Sequence, residues 1–133
     1  MDWYAFSVHV ASDGVHMVRD GPWATSFDNE AVSFFANGKL LRTYTIAELV
    51  DLRFAMAYSV SHFHWSRDRR LDNVALVYTV RTYDLNSYEF DLTTGEIKSA
   101  LHPARWLGAI LIVGGAVLAI ILYRRWRSRL RPT

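Results

Sequence analysis

The chain has 133 residues, half of them hydrophobic and 14% aromatic, with 15 Lys/Arg, 13 Asp/Glu and no cysteine. Zero cysteines excludes disulfides, thiol catalysis and Cys-ligated zinc or iron–sulfur centres. The formal charge of +2 does not point to nucleic acid: all 13 acids fall in residues 1–104 with 9 Lys/Arg, leaving that part four negative, and the remaining six arginines lie at 105 and in the last ten residues.

In chain order, residues 1–98 read as an antiparallel β domain. Met1-Asp2-Trp3-Tyr4 has neither a basic n-region nor an apolar h-region. No signal peptide is therefore visible, so either a leader has been removed or a later anchor drives N-out insertion. Trp3–Ala11, the turn Ser12-Asp13-Gly14 and Val15–Arg19 predict a first hairpin. Ala31–Ala36 and Lys39–Thr45 flank Asn37-Gly38, a hairpin signal because both turn residues tolerate positive φ. Thr45 and Glu48 have capping-box spacing, which opens a short helix or 3-10 turn over Ile46–Phe54.

Tyr58–Trp65, Val74–Thr82 and Ser87–Leu92 predict three further strands. The charge-dense Ser66–Asn73 is expected as an exposed loop, Tyr83–Asn86 as a tight turn, and Thr93-Thr94-Gly95 as the turn closing the last strand. The fold class is mainly β: a small antiparallel sheet or sandwich head, or a stack of two four-stranded sheets, followed by one C-terminal transmembrane α-helix. Residues 99–105 are expected to be a linker.

Trp106–Tyr123 carries no charge over eighteen residues. As a helix it rises about 27 Å, the thickness of a bilayer's hydrocarbon core. Arg124, Arg125 and Arg127, then Arg129 and Arg131, follow within the basic tail 124–133. Positive-inside bias predicts this tail in the cytoplasm, against anionic head groups, and residues 1–104 on the periplasmic, extracytoplasmic face of the cell (inner) membrane. The alternative, a tail-anchored chain with its head in the cytoplasm, must carry five arginines across. Trp106, Tyr123 and Trp126 are placed as interfacial aromatics. Gly108, Gly115 and Ala119 fall near one helix face, and such small residues let a second helix approach closely. No His, Asp or Glu lies in the span, so it offers no axial ligand for a pigment or haem and no proton-relay group.

A resemblance runs through the head. Val8–Gly14 with Val18–Trp23, Ala31–Tyr44, Leu49-Val50, Ser59–Trp65 and Phe90–Ile97 resemble the strand and turn motifs of propeller-type bacterial extracytoplasmic proteins, some ending in one span and an arginine-rich tail. The likeness implies an extracytoplasmic β-rich head and carries no catalytic residue over. The chain is far too short for a closed propeller.

Chemistry is sparse. His62 and His64 share a strand face and form the candidate metal pair, with Glu89 or Asp91 on a neighbouring strand to complete it; hydrogen-bonded histidines on a half-exposed face are the more ordinary reading. His9, His16 and His102 are scattered. Ser61 and His62, as strand neighbours, point to opposite faces and should not pair as nucleophile and base. These features predict no enzyme and no cofactor. They predict a non-catalytic accessory subunit of a larger integral membrane complex, with a respiratory or photosynthetic host suggested by analogy. The alternative is a membrane-anchored binding or sensing module whose contact face uses aromatics such as Trp3, Trp23, Trp65 and Tyr83.

Overall fold

The computed structural model describes residues 5–129, with side chains to Arg127, in two compact units that meet at His102/Pro103. The first unit is β. Strands β1 (Ser7–Val10), β2 (His16–Asp20), β3 (Glu30–Ala36) and β4 (Lys39–Thr45) form one antiparallel sheet in that order. Strands β7 (Ser66–Asp72), β8 (Val77–Thr82), β9 (Ser87–Asp91) and β10 (Ile97–Leu101) form a second, also antiparallel meander, and β5 (Ala57–Tyr58) pairs with β6 (Phe63–His64) in a small hairpin. The two four-stranded sheets pack face to face as a sandwich.

Alternation decides which side chains meet. On β8, Tyr78, Val80 and Thr82 turn inward; on β9, Tyr88 and Phe90 do so, and on β2, Val18 and Asp20. Phe34 of β3 lies 5.1 Å from Phe90, and Tyr44 of β4 lies at the same centroid distance from Phe90. These rings join Val18, Val32, Val80 and Leu92 in one core.

The hairpin turns follow local chemistry. Asn37 and Gly38 have φ of 50° and 74°, as the Asn-Gly signal requires between β3 and β4. Thr45 precedes α1 (Ile46–Leu49), and the Glu48 carboxylate accepts the Thr45 backbone N–H at 2.7 Å, closing the capping box. The helix expected over Ile46–Phe54 is thus one turn, with a separate 3-10 turn at Arg53–Ala55.

Five expectations are corrected. Ser66–Asn73 is not a loop: β7 occupies Ser66–Asp72, an edge strand on which Arg67, Asp68, Arg70 and Asp72 are exposed, Arg69 is half-buried, and the backbone completes the β8 ladder. Tyr58–Trp65 is not one strand, because a turn over residues 59–62 separates β5 from β6. The strand expected from Val74 starts at Val77, and the one expected from Trp3 starts at Ser7; Trp3 itself lies outside the described residues. Residues 99–105 are not a linker, since β10 pairs with β9 as far as Leu101 and helix α2 (Pro103–Arg129) begins two residues later. Pro103 opens that helix, where its missing N–H leaves no bond unmade.

The second unit is α2. Its residues Pro103–Arg127 are long and apolar enough to cross a membrane, and its leucines, isoleucines and valines are exposed along the whole apolar stretch. A helix apolar all round suits hydrocarbon or other helices as its surroundings.

Candidate functional site

The β5–β6 hairpin carries His62 and His64. Their ring centroids are 5.4 Å apart, and each stands edge-on to Trp23, at 4.4 Å and 5.7 Å. Glu89 and Asp91 do not adjoin them: β9 pairs with β8 and β10, whereas β6 pairs with β5 and, through Phe63, with Ala24. Among the described residues no group of three His, Asp or Glu could hold a metal ion. Ser61 and His62 do meet, with Oγ 3.2 Å from Nδ1, because residues 59–62 turn rather than extend. That overturns the opposite-face expectation. Among the described residues, however, no carboxylate orients the His62 ring, so the pair lacks the third member of a triad.

Sequence reasoning missed a buried carboxylate. Asp20 is 1% exposed, at the inward-facing end of β2. The β1–β2 register sets Ser7 opposite it, and strand alternation brings His9 to the same face. The Ser7 hydroxyl donates to Oδ2, His9 Nε2 lies 3.2 Å from the same oxygen, and Arg69 of β7 pairs with it at 3.1 Å. From the other sheet the Tyr78 hydroxyl donates to Oδ1 at 2.7 Å. Burial, then the adjacent Asp20 charge, pushes the Tyr78 phenol far above its ordinary pKa, so it stays a donor at every physiological pH.

Ser7, His9 and Asp20 are the residue types of a hydrolytic triad, but not its geometry. Ser7 Oγ lies 3.4 Å from His9 Nε2, the same nitrogen that faces Asp20. A triad needs the carboxylate on the other ring nitrogen. The cluster therefore ties the sheets together. Its one signal in the sequence is an acid two residues after Val18, on the face that alternation assigns to the core.

A second polar knot lies at the opposite end of β8. Asp84 accepts the backbone N–H groups of Asp51 and Leu52 at 2.6 and 2.9 Å and is bonded by Thr82. Asn86 donates to Asp51 Oδ2 at 3.0 Å, and His102 Nδ1 lies 3.0 Å from that same carboxylate oxygen. His102 thereby fastens the last residue of the head to the turn after α1.

Between the sheets' edges, beside Trp23, opens a cavity of about 280 Å³. Phe6, Trp23 and Trp65 supply aromatic walls; Arg67, Asp68 and Arg69 supply the charges. Phe6 meets Trp23 at 5.1 Å, nearly perpendicular. Arg69 lies over Trp65 at 5.0 Å and over Phe6 at 5.6 Å, so its guanidinium is held by two rings as well as by Asp20. The β7–β8 register shifts between Ser66 and Asp68, making Arg67 the extra residue of a bulge. Of the aromatics expected on a contact face, Trp23 and Tyr83 are exposed and Trp65 is buried.

On α2, Gly108 and Gly115 have open space where a side chain would stand, and Ala119 follows on the same face. Trp106, Tyr123 and Trp126 are all exposed, with Tyr123 and Trp126 in ring contact at 6.5 Å. Arg124, Arg125 and Arg127 continue the helix beyond Tyr123; Arg131 lies outside the described residues. No protein-family model, no curated protein and no solved structure matches this chain.

Proposed function

We propose that the chain is a non-catalytic, single-pass accessory subunit of a larger integral membrane complex. In this reading α2 crosses the membrane and packs through Gly108, Gly115 and Ala119 against helices of other subunits. The β head caps the outer, extracytoplasmic face, and the arginine-rich end lies among anionic head groups in the cytoplasm. By analogy with small one-span subunits of respiratory and photosynthetic assemblies, such an assembly is the natural host.

The observation that carries the reading is α2 itself, whose apolar side chains are exposed from end to end and interrupted on one face by open glycines. In lipid, association of such a helix rests on close backbone approach, which small residues permit. The two buried polar clusters support a non-catalytic head, because their hydrogen bonds run between strands and turns of the head; among the described residues, Asn86 Oδ1 is the one buried side-chain atom left without a partner.

The test is extraction in gentle detergent. Stoichiometric co-migration with a large complex is expected, and loss of it on replacing Gly115 and Ala119 with Leu. A free 15.3 kDa species in the unmodified extract overturns the proposal. Protease added to sealed cells should remove the head; a head cut only after permeabilisation overturns the orientation.

A further inference from the structure

The cavity beside Trp23 has an unusual charge inventory. Arg69 is engaged, with its guanidinium on Asp20, its Nε donating to Ser66 Oγ at 2.8 Å, and two rings against it. Arg67 and Asp68 are not: among the described residues, neither side chain makes a hydrogen bond or ion pair, and both are exposed at the cavity's rim. The rim thus presents one cation and one anion side by side, neither held in an ion pair, because the bulge inserts Arg67 ahead of Asp68, which lies across from Arg81 in the β7–β8 register. Below them the wall is aromatic. Trp23 is 43% exposed and Phe6 53%, an apolar surface that water covers in the free protein.

These three elements recognise a ligand with the matching three parts. Aromatic side chains supply area and ring contacts, while a few convergent polar groups fix orientation. A guanidinium takes a carboxylate in bidentate geometry, and a carboxylate takes an ammonium. At about 280 Å³ the cavity falls just under the range of drug-sized pockets, which start near about 300 Å³, so it holds a ligand the size of a single amino acid. A purely anionic ligand would be opposed by Asp68 and a purely cationic one by Arg67. We infer that this cavity binds a small aromatic zwitterion, of which a free aromatic amino acid is the simplest. Its ring lies against Trp23 and Phe6, its carboxylate on Arg67 and its ammonium on Asp68. The site is independent of whether α2 packs on a partner.

The experiment uses the full chain in detergent micelles and follows the Trp23 indole N–H resonance, identified by its loss in Trp23→Phe. L-Phenylalanine is the probe. Phenylacetate, phenethylamine and glycine lack in turn the ammonium, the carboxylate and the ring. L-Phenylalanine should shift the resonance saturably, with a Kd of roughly 0.1–1 mM, as expected for a dozen heavy atoms at an open site. Each truncated probe should bind about tenfold more weakly or worse. Arg67→Ala should weaken L-phenylalanine about tenfold and, by removing a like charge, tighten phenethylamine; Asp68→Asn should weaken L-phenylalanine similarly and tighten phenylacetate. Both positions are exposed, and an otherwise unaltered spectrum verifies the fold of each variant. Absence of a saturable shift at about 10 mM L-phenylalanine, equal binding of all four probes, or affinity insensitive to either substitution overturns the assignment.

Discussion

The Tyr78 hydroxyl donates to the Asp20 carboxylate at 2.7 Å, and this bond joins β8 of one sheet to β2 of the other through the core. Tyr78→Phe removes the donor and leaves Oδ1 buried without its partner. A buried acceptor so stranded costs about 1–3 kcal/mol. Denaturant unfolding in detergent should show that loss with an unchanged m value. Asp20→Ala should be worse, about 3–5 kcal/mol, because it strips Arg69 of its counter-charge.

Gly21 follows Asp20 and continues alongside β3, its backbone N–H donating to the Ala31 carbonyl at 3.0 Å. A Cβ there would stand 1.8 Å from the Glu30 carbonyl oxygen, a backbone atom that cannot swing aside. Gly21→Ala should therefore destabilise the head by about 3 kcal/mol, the upper range for overpacking, read as a lowered unfolding midpoint. The same change at Gly14 meets open space, and only its φ of 69° opposes it. That variant should lose about 1 kcal/mol.

Leu85 sits in the β8–β9 turn with φ of 69°, a left-handed conformation that disfavours a leucine, and its side chain is 56% exposed. Asparagine tolerates this region better and forfeits little burial here. Leu85→Asn should raise stability by about 0.5–1 kcal/mol, measured as a higher thermal midpoint.

The hydrogen bond from His16, with backbone N–H groups of His16 and Val15, lowers the Asp13 pKa from 3.8 to about 2. A depressed carboxyl pKa contributes stability that is present above the unfolded value and is lost as pH falls from about 4 through about 2. The group is open to solvent, so the contribution is small. Side-chain NMR titration should find Asp13 deprotonated well below pH 3.8, and His16→Ala should return it toward that value.

Val113 lies near the middle of α2's apolar stretch. An arginine there should add about 3 kcal/mol to the free energy of membrane insertion. A glycosylation-reporter assay should show the inserted fraction falling steeply for Val113→Arg and hardly at all for Val113→Leu. Equal insertion of the two would remove the membrane assignment.

What could be read from the chain follows from how local each cause is. The Asn37-Gly38 turn needs only two residues that accept positive φ, and the Thr45–Glu48 box only three peptide units. Both appear where the sequence puts them. The two missed strands are polar or exposed edges: β7 reads Ser-Arg-Asp-Arg-Arg-Leu-Asp, and β10 has no buried residue. An edge strand exists because its neighbour offers unpaired backbone groups, and no pattern within its own side chains announces that. His62 and His64 had the right spacing on paper, but the turn at 59–62 and the pairing of β6 with β5 keep carboxylates away.

Transfer of a side chain from water to hydrocarbon is nearly additive along a helix, so an eighteen-residue uncharged run by itself determined that α2 is long and apolar enough for a membrane. Turn chemistry, equally short in range, determined that the rest is antiparallel β. Which strands face one another was decided only in three dimensions, and with it the partners of Asp20, the knot around Asp84 and the cavity between Trp23 and Arg67. Those contacts join residues distant in sequence, and their formation depends on register and on a one-residue bulge, which no local preference encodes.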